Sequence, residues 1–450
     1  MAKCNKRMRK SSSSKWGELH SNILDIIFQS LSFKDVLRVQ SVSSHWFSVS
    51  KALIASKSHL PSNNQIPWLM LPPGEEEEKQ QHTNGGFRFI NLEHKRVHHD
   101  IDNDILREIM AADSCCVGSS HGWLIFLDQK ASPFLLNPFI QVKIHLPCLY
   151  SLLGILKIEK NIELDEYCIV YNNNPKNKVS YTTHLREKII HKGVLSSNPC
   201  LGVNKLGVVV IYGSTRKLGY CNYGDGHHDS SWSGLDGKFW PYHDIVCYKN
   251  KLYALGENAC VETWDLDGCV PIKRMEIELC FPTKSTKMLS DFRYLYACRF
   301  YLVENLGDWL LVVRYIGEFV NGNNVVVREE DLLTDEDTHP LVCPYRTLLF
   351  HVYKLDFDEK RWIEVESLGD SALFLGGSDS ISVSSSSLSG YKKNSIYFTD
   401  DYWDRMEEDY LYGGHDMGVF SMEEQMVEPI YQSGSMKIQP PPCWVAPSFW

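Results

Sequence analysis

Three groups of side chains in this sequence are of types that do chemistry. His94, His98, His99, Asp100, Asp102 and Asp104 lie within eleven residues, and His94 and His98 are spaced i, i+4. That interval puts two imidazoles on one helix face, as in a zinc hydrolase, where H-E-x-x-H also supplies the base. Lys95, Arg96 and Val97 fill the interval here, so the stretch reads as a polar strand and turn. His227, His228 and Asp229 sit in a Gly-, Asp- and Ser-rich loop, Gly224 to Gly234, better suited to contacts than to a preorganised metal site. Gly376-Gly377-Ser378-Asp379 lacks the Lys and the following helix of a phosphate loop, and the sequence has no G-x-S-x-G elbow. No catalytic residue, metal or cofactor is expected.

The remaining reactive surface is aromatic. Trp123, Trp264, Trp309 and Trp362 fall in strand patterns, where core packing is the default. Trp232 and Trp240 lie in or beside the loop running from Gly224 to Trp240, amid Ser and Gly. Aromatics flanked by small polar residues are what protein-binding surfaces use, so these two are the candidate target-binding residues. The acidic runs at Glu75 to Glu78, Glu329 to Asp331 and Asp335 to Asp337 read as solvated loop tips.

The elements that must position these residues are mostly strands. Val142, Ile144 and Leu146 alternate with Gln141, Lys143 and His145, a period of two. Gly122 to Leu127 and Phe134 to Pro138 are apolar runs that complete one antiparallel set. The same strand–turn–strand grammar recurs at Ile245 to Leu266, Tyr301 to Arg314, Leu349 to Val365, and from Ala372 through Phe398 to Tyr431. Hairpin sets repeating every ~50–60 residues point to a propeller, here of about six to seven antiparallel blades, with a pair of β-sandwiches as the rival. A closed ring leaves no exposed edge, and the aromatic C-terminus, Cys443 to Trp450, is placed to supply closure.

Only the N-terminal region is helical in pattern. Met1 to Lys15 is a basic and Ser-rich tail. In Trp16 to Ile54, Ile23, Ile26, Ile27 and Leu31 form a stripe, flanked by Leu24 and Phe28. That face is too wide for a lone surface helix. Ser32 and Asp35 predict a second helix from Phe33 carrying Val36, Leu37 and Val39; Ser43 or Ser44 caps a third, with Trp46, Phe47 and Val49. Three short helices make a poor core alone and need a partner.

This stretch resembles an F-box, through Trp16, Glu18, Leu19, Ile23, Leu24, Ile27, Phe28, Leu31, Asp35, Val36, Leu37, Arg38, Val42 and Trp46. His20 stands where the family favours Pro, and Ser43 where it often has Cys. The resemblance implies docking on a Skp-type adaptor, and through it on a cullin–RING ubiquitin ligase. The adaptor-binding residues it implies are Leu19, His20, Ile23, Leu24, Ile27, Leu31, Val36, Leu37, Val42 and Trp46.

Composition narrows the class. Hydrophobic content of 43% over 450 residues supports a large core without metals or disulfides. A net charge of −10 argues against nucleic acid as the main partner. The 14 Cys show no C-x-x-C pair and read as free thiols in a reducing compartment. No apolar run reaches membrane-span length and no signal-peptide pattern is present, so a cytosolic or nuclear protein is expected.

The segments Pro67 to Met70, Gly118 to Leu124, Leu136 to Pro138, Lys251 to Leu266, Val303 to Asp308 and Pro441 to Val445 resemble the plant F-box family with a KIB-type, kelch-like propeller. The likeness covers nearly the whole chain and is least over residues 151–240. The expected organisation is a tail at 1–15, an F-box at 16–54, a linker at 55–66 and a propeller at 67–450. The resemblance implies a non-catalytic receptor that presents a target for ubiquitination. In some family members the targets are protein kinases of the glycogen-synthase-kinase type. Two other functions fit the residues: an F-box protein that inhibits a kinase by binding alone, and a propeller that acts on or binds carbohydrate.

Overall fold

The apolar runs of the sequence become strands wherever two-residue turns reverse them. In the computed structural model, Lys249 and Asn250 both adopt positive φ (47° and 59°), as do Leu306 and Gly307 (54° and 93°). These are the primed turns whose twist matches that of the flanking strands. The structure describes residues 19–30, 39, 41–57, 66–72, 87–92, 96–98, 114–128, 132–139, 141–153, 155–161, 166–171, 174–182, 189–199, 206–224, 231–268, 270–282, 285, 295–321, 325–328, 345–384, 390–408, 413–430 and 437–446. The chain divides into two compact units, residues 1–61 with the last two residues, and residues 62–448.

In the first unit, helix α1 spans Ser21–Ser30 and helix α2 spans Ser44–Lys57. The His20 carbonyl accepts the Ile23 and Leu24 N–H groups at 2.9 and 3.1 Å, so His20 starts α1 where a Pro was the family preference. Ser43 caps α2: its hydroxyl accepts the Trp46 N–H at 3.2 Å. Leu24, Phe28 and Val49 form the buried centre, and Phe28 meets Trp46 edge-on at 5.5 Å. The middle helix expected from Phe33, with Leu31, Val36 and Leu37, lies outside the described residues. Two helices of the expected three are therefore seen.

The second unit is a six-bladed propeller. Blade 1 holds β1 (Trp68–Leu71), β2 (Arg88–Asn91) and β3 (Arg96–His98). Blade 2 holds β4 (Cys115–Ser120), β5 (Trp123–Leu127), β6 (Pro133–Asn137) and β7 (Val142–His145). A separate three-stranded sheet follows: β8 (Ile155–Asn161), β9 (Glu166–Tyr171) and β10 (Asn174–Thr182). Blade 3 has β11 (Ile190–Leu195), β12 (Leu206–Tyr212), β13 (Lys217–Tyr223) and β14 (Trp232–Gly234). Blade 4 has β15 (Asp244–Tyr248), β16 (Lys251–Leu255), β17 (Val261–Asp265) and β18 (Ile272–Ile277). Blade 5 has β19 (Tyr296–Asn305), β20 (Asp308–Gly317), β21 (Arg346–Asp356) and β22 (Arg361–Glu364). Blade 6 has β23 (Ser371–Leu375), β24 (Ser380–Ser384), β25 (Ser395–Phe398), β26 (Gly418–Ser421) and β27 (Met426–Pro429).

The ring closes on β28 (Cys443–Val445), which pairs antiparallel with β1 in the register Leu69↔Trp444 and becomes the innermost strand of blade 1. Trp444 is fully buried, donates its indole N–H to the Leu375 carbonyl at 3.0 Å and packs edge-on against Phe374. A strand from the far end of the chain thus fills the edge that blade 1 would otherwise expose.

The inner strands β4 and β11 touch directly. A Cβ on Gly118 would lie 2.1 Å from the Gly193 carbonyl oxygen, and the Ser120 hydroxyl accepts the Leu195 N–H at 3.2 Å. The β8–β10 sheet is therefore an insertion off the ring, and the blade count settles at six. The antiparallel expectation also needs correction in blade 6. There β23 and β25 run parallel, with Leu373 opposite Ile396, because β24 doubles back to become the inner strand. No described helix is long and apolar enough to cross a membrane.

Candidate interaction site

The residues singled out in the first unit divide between interior and surface. Leu24 is fully buried, and Leu19, Ile27 and Trp46 pack half-buried against the same centre. Their side chains hold α1 to α2. Ile23 (49% exposed) and Val42 (54%) instead face outward, and His20 is exposed. Ile26 (69%) and Phe47 (43%) join them on the surface, though neither stood among the expected adaptor-binding residues. The signal for Ile26 was present, since a helix with apolar residues at 23, 24, 26, 27 and 28 cannot turn all of them toward one partner.

On the propeller, the aromatic pair separates. Trp232 is 5% exposed on β14 and donates its indole N–H to the Pro147 carbonyl at 2.8 Å, so it is core and not a surface contact. Trp240 is 45% exposed, with the Lys217 ammonium 5.3 Å from its ring centroid. The loop that carries Trp240 is anchored from below. The fully buried Glu262 carboxylate accepts the Lys238 and Phe239 N–H groups at 3.1 Å, the Tyr242 hydroxyl, and the Lys273 ammonium at 2.8 Å. An exposed indole on a loop fixed this way loses little conformational entropy when a partner covers it.

Of the other expected groups, His98 lies on β3, while His94, His99, Asp100, Asp102, Asp104 and the His227–Asp229 run lie outside the described residues. Gly376 to Asp379 forms the tight connection from β23 to β24. The Ser378 carbonyl accepts the Ser119 N–H of blade 2 at 2.8 Å, and the Asp379 carboxylate accepts the Ser380 N–H. Its role is to join blades. Trp123, Trp264, Trp309 and Trp362 are buried, as their strand positions predict.

The propeller interior holds ion pairs that sequence reading missed. Lys192 on β11 reaches Asp244 on β15 at 2.5 Å and the Ser380 hydroxyl on β24 at 3.0 Å. Asp244 also accepts the Ser380 hydroxyl and the Leu302 N–H, each at 2.9 Å. One ion pair thereby ties blades 3, 4, 5 and 6 together. A second set centres on Arg314, fully buried, which donates to Asp401 at 3.0 Å and Asp416 at 2.9 Å. Little local marks these residues: Lys192 and Arg314 are single charges in apolar strands, Asp244 begins one, and Asp401 and Asp416 lie in the connection from β25 to β26. The only available signal was that an isolated charge in an otherwise buried strand must find an opposite one.

Beside this clamp is a cavity of about 170 Å³ at one mouth of the axis. Lys192 and Asp244 line it, together with His191, Arg216, His243 and Arg299. Burial pushes His243 down to about 4, with the charges of Arg216 and Arg299 adding to the effect. Among the described residues no group of His, Cys, Asp and Glu is arranged to hold a metal ion.

Residues 89–421 match the family model described as the KIB1-4 beta-propeller. The chain is 24% identical over 443 residues to the Arabidopsis thaliana F-box protein At2g05970, covering 96% of each. It is 25% identical over 398 residues to F-box protein At2g26160 of the same plant, covering 86% of this chain and 96% of that one. Among solved structures, Citrobacter koseri AztD aligns over 84% of this chain and 98% of its own at 8% identity and a TM-score of 0.29, too slight a likeness to bear on function.

Proposed function

Because this chain belongs to the KIB1-4 β-propeller family and is similar over most of its length to F-box proteins, we propose that it is the substrate-recognition subunit of a Skp–cullin–F-box ubiquitin ligase. Residues 16–54 form the adaptor-binding module and residues 67–450 the target-binding module. The observation that carries the reading is the division of apolar residues in α1 and α2. Leu24 and Phe28 satisfy the module's own small core, yet Ile23, Ile26, Val42 and Phe47 remain on its surface. An apolar surface of that density beside so small a core is a docking face, and the Skp-type adaptor is the occupant the family resemblance supplies. The chain's contribution is positional: it holds a target near the ubiquitin-charged conjugating enzyme and raises the effective concentration of target lysines. No bond is made or broken by its own residues. The working location is the cytosol or nucleus, and a kinase of the glycogen-synthase-kinase type is the first target to test.

Co-purification with the Skp-type adaptor tests this, comparing wild type with the double variant Ile26→Asp/Val42→Asp. Both sites lie outside the Leu24–Phe28–Val49 centre, so the module should remain folded, which circular dichroism checks. Burial of each aliphatic side chain contributes about 1.5–3 kcal/mol, so losing two weakens binding at least about a hundredfold. Equal recovery of adaptor with both proteins rejects this face. Failure of the wild type to bind at all transfers the function to target binding alone, outside a ligase.

A further inference from the structure

We propose that Cys116 and Cys443 are a reversible redox pair, whose disulfide locks the strand that closes the propeller. The pair does not depend on the ligase reading, since it needs only the propeller. Cys116 lies on β4, the innermost strand of blade 2, and Cys443 on β28, the innermost strand of blade 1. The two strands lie side by side. Alternation along β4 sends its adjacent cysteines to opposite faces. Cys115 packs into the core shared by blades 2 and 3, with Ile190 and Val210. Cys116 packs against the core shared by blades 1 and 2, to which Cys443 belongs with Met70 and Phe126.

The two sulfurs meet. The Cys116 thiol donates to the Gly118 carbonyl at 3.4 Å. Its sulfur is then the acceptor for the Cys443 S–H, and this hydrogen bond together with burial holds the Cys116 thiol well above its ordinary value. Both residues are free thiols. Passing from contact to an S–S bond of about 2.05 Å takes side-chain rotation between backbones that already adjoin. The seam this bond would hold is short. β28 is 3 residues long and is tied to β1 by the pairs Trp68↔Val445, Leu69↔Trp444 and Met70↔Cys443. A cross-link from residue 116 to residue 443 also closes most of the propeller chain into one loop, and the longer the loop, the more freedom the unfolded chain loses.

Size selects the oxidant. Both cysteines line a cavity of about 10 Å³, room for about one water, so hydrogen peroxide suits it and glutathione disulfide does not. Cys116 is half-buried and Cys443 is buried, so Cys116 is oxidised first. Its proton passes to solvent and the thiolate attacks one peroxide oxygen. An S–O bond forms, the O–O bond breaks, and the departing hydroxide takes up a proton to become water. The Cys443 sulfur then attacks the sulfenic sulfur. An S–S bond forms, the S–O bond breaks, and the hydroxyl leaves as water with the Cys443 proton. Two thiols and one hydrogen peroxide thus give one disulfide and two waters, and a dithiol reductant reverses the change. Because the Cys116 thiol is held protonated, the first step is slow, and the pair answers sustained rather than trace peroxide.

The test exposes the full chain to hydrogen peroxide, raised until other thiols of the chain are oxidised. Remaining thiols are alkylated, and disulfides are mapped by mass spectrometry of the unreduced digest, with fragmentation to tell Cys116 from Cys115. This mapping on the wild type needs no variant. A Cys116–Cys443 link that dithiothreitol removes, together with a thermal midpoint raised by about 5–10 °C, supports the proposal. The rise must vanish in Cys116→Ala, whose fold circular dichroism checks. Absence of the link, a Cys115–Cys443 link in its place, a midpoint that the link does not raise, or an equal rise in Cys116→Ala overturns the proposal.

Discussion

Replacing Lys192 with Met should destabilise the propeller by about 3–5 kcal/mol, the cost of stranding a buried charge. Asp244 is 1% exposed and has four partners: the Lys192 ammonium at 2.5 Å, the Ser380 hydroxyl and Leu302 N–H at 2.9 Å, and the Ile245 N–H at 2.8 Å. Lys192→Met keeps most of the side chain's volume, so packing changes little, but it leaves the carboxylate with neutral donors alone. The loss is a large share of the roughly 5–15 kcal/mol by which folded domains are stable. It also falls at the point where β11, β15, β19 and β24 meet, so the unfolding transition of the whole ring should shift together. Urea denaturation followed by tryptophan fluorescence measures it, since the buried Trp123, Trp264, Trp309 and Trp444 report from four blades. The companion experiment is a cycle with Asp244→Asn. Once the charge is gone, Lys192→Met removes much less, so the two substitutions should couple by at least about 1.5 kcal/mol. A midpoint shift for Lys192→Met worth under about 1 kcal/mol at unchanged m, or strict additivity in the cycle, would falsify the view that this ion pair clamps the blades.

Two further outcomes follow from the same geometry. Gly118→Ala places a methyl group 2.1 Å from the Gly193 carbonyl oxygen, so blades 2 and 3 must separate; overpacking of this kind costs about 1–3 kcal/mol, and an unchanged thermal midpoint would show that the two inner strands do not abut. The second concerns pH. His243 sits at about 4 in the folded chain and near 6.5 when unfolded, so the unfolded state binds more protons between those values. The stability it contributes is complete above pH ~6.5 and is lost as pH falls toward ~4, by at most about 3 kcal/mol. His243→Gln should flatten that slope in denaturation midpoints measured across the window, and an equal slope in both proteins would remove His243 as its source.

The sequence determined whatever depends on short-range pattern. Helix α1, the Ser43 cap of α2, the alternation that made strands, and the burial of Trp123 and Trp264 all follow from period and cap chemistry within a few residues. The closing role of Cys443 to Val445 was also legible, because an aromatic segment at the end of an all-β chain must pack somewhere. The tertiary structure decided the rest. β8, β9 and β10 are strands like any others, and only the contact of Gly118 with Gly193 places their sheet off the ring. The parallel pairing of β23 with β25 reflects which strand reached the axis, a competition invisible in either segment. Trp232 and Trp240 share one loop composition, yet the Pro147 carbonyl draws the first inside and the Glu262 anchor holds the second at the surface. Lys192 and Asp244 are 52 residues apart and Ser380 lies 136 residues beyond Asp244. Strand periodicity says which face a side chain takes; it carries no information about which distant strand will face it, because that is set by the closure of the ring as a whole.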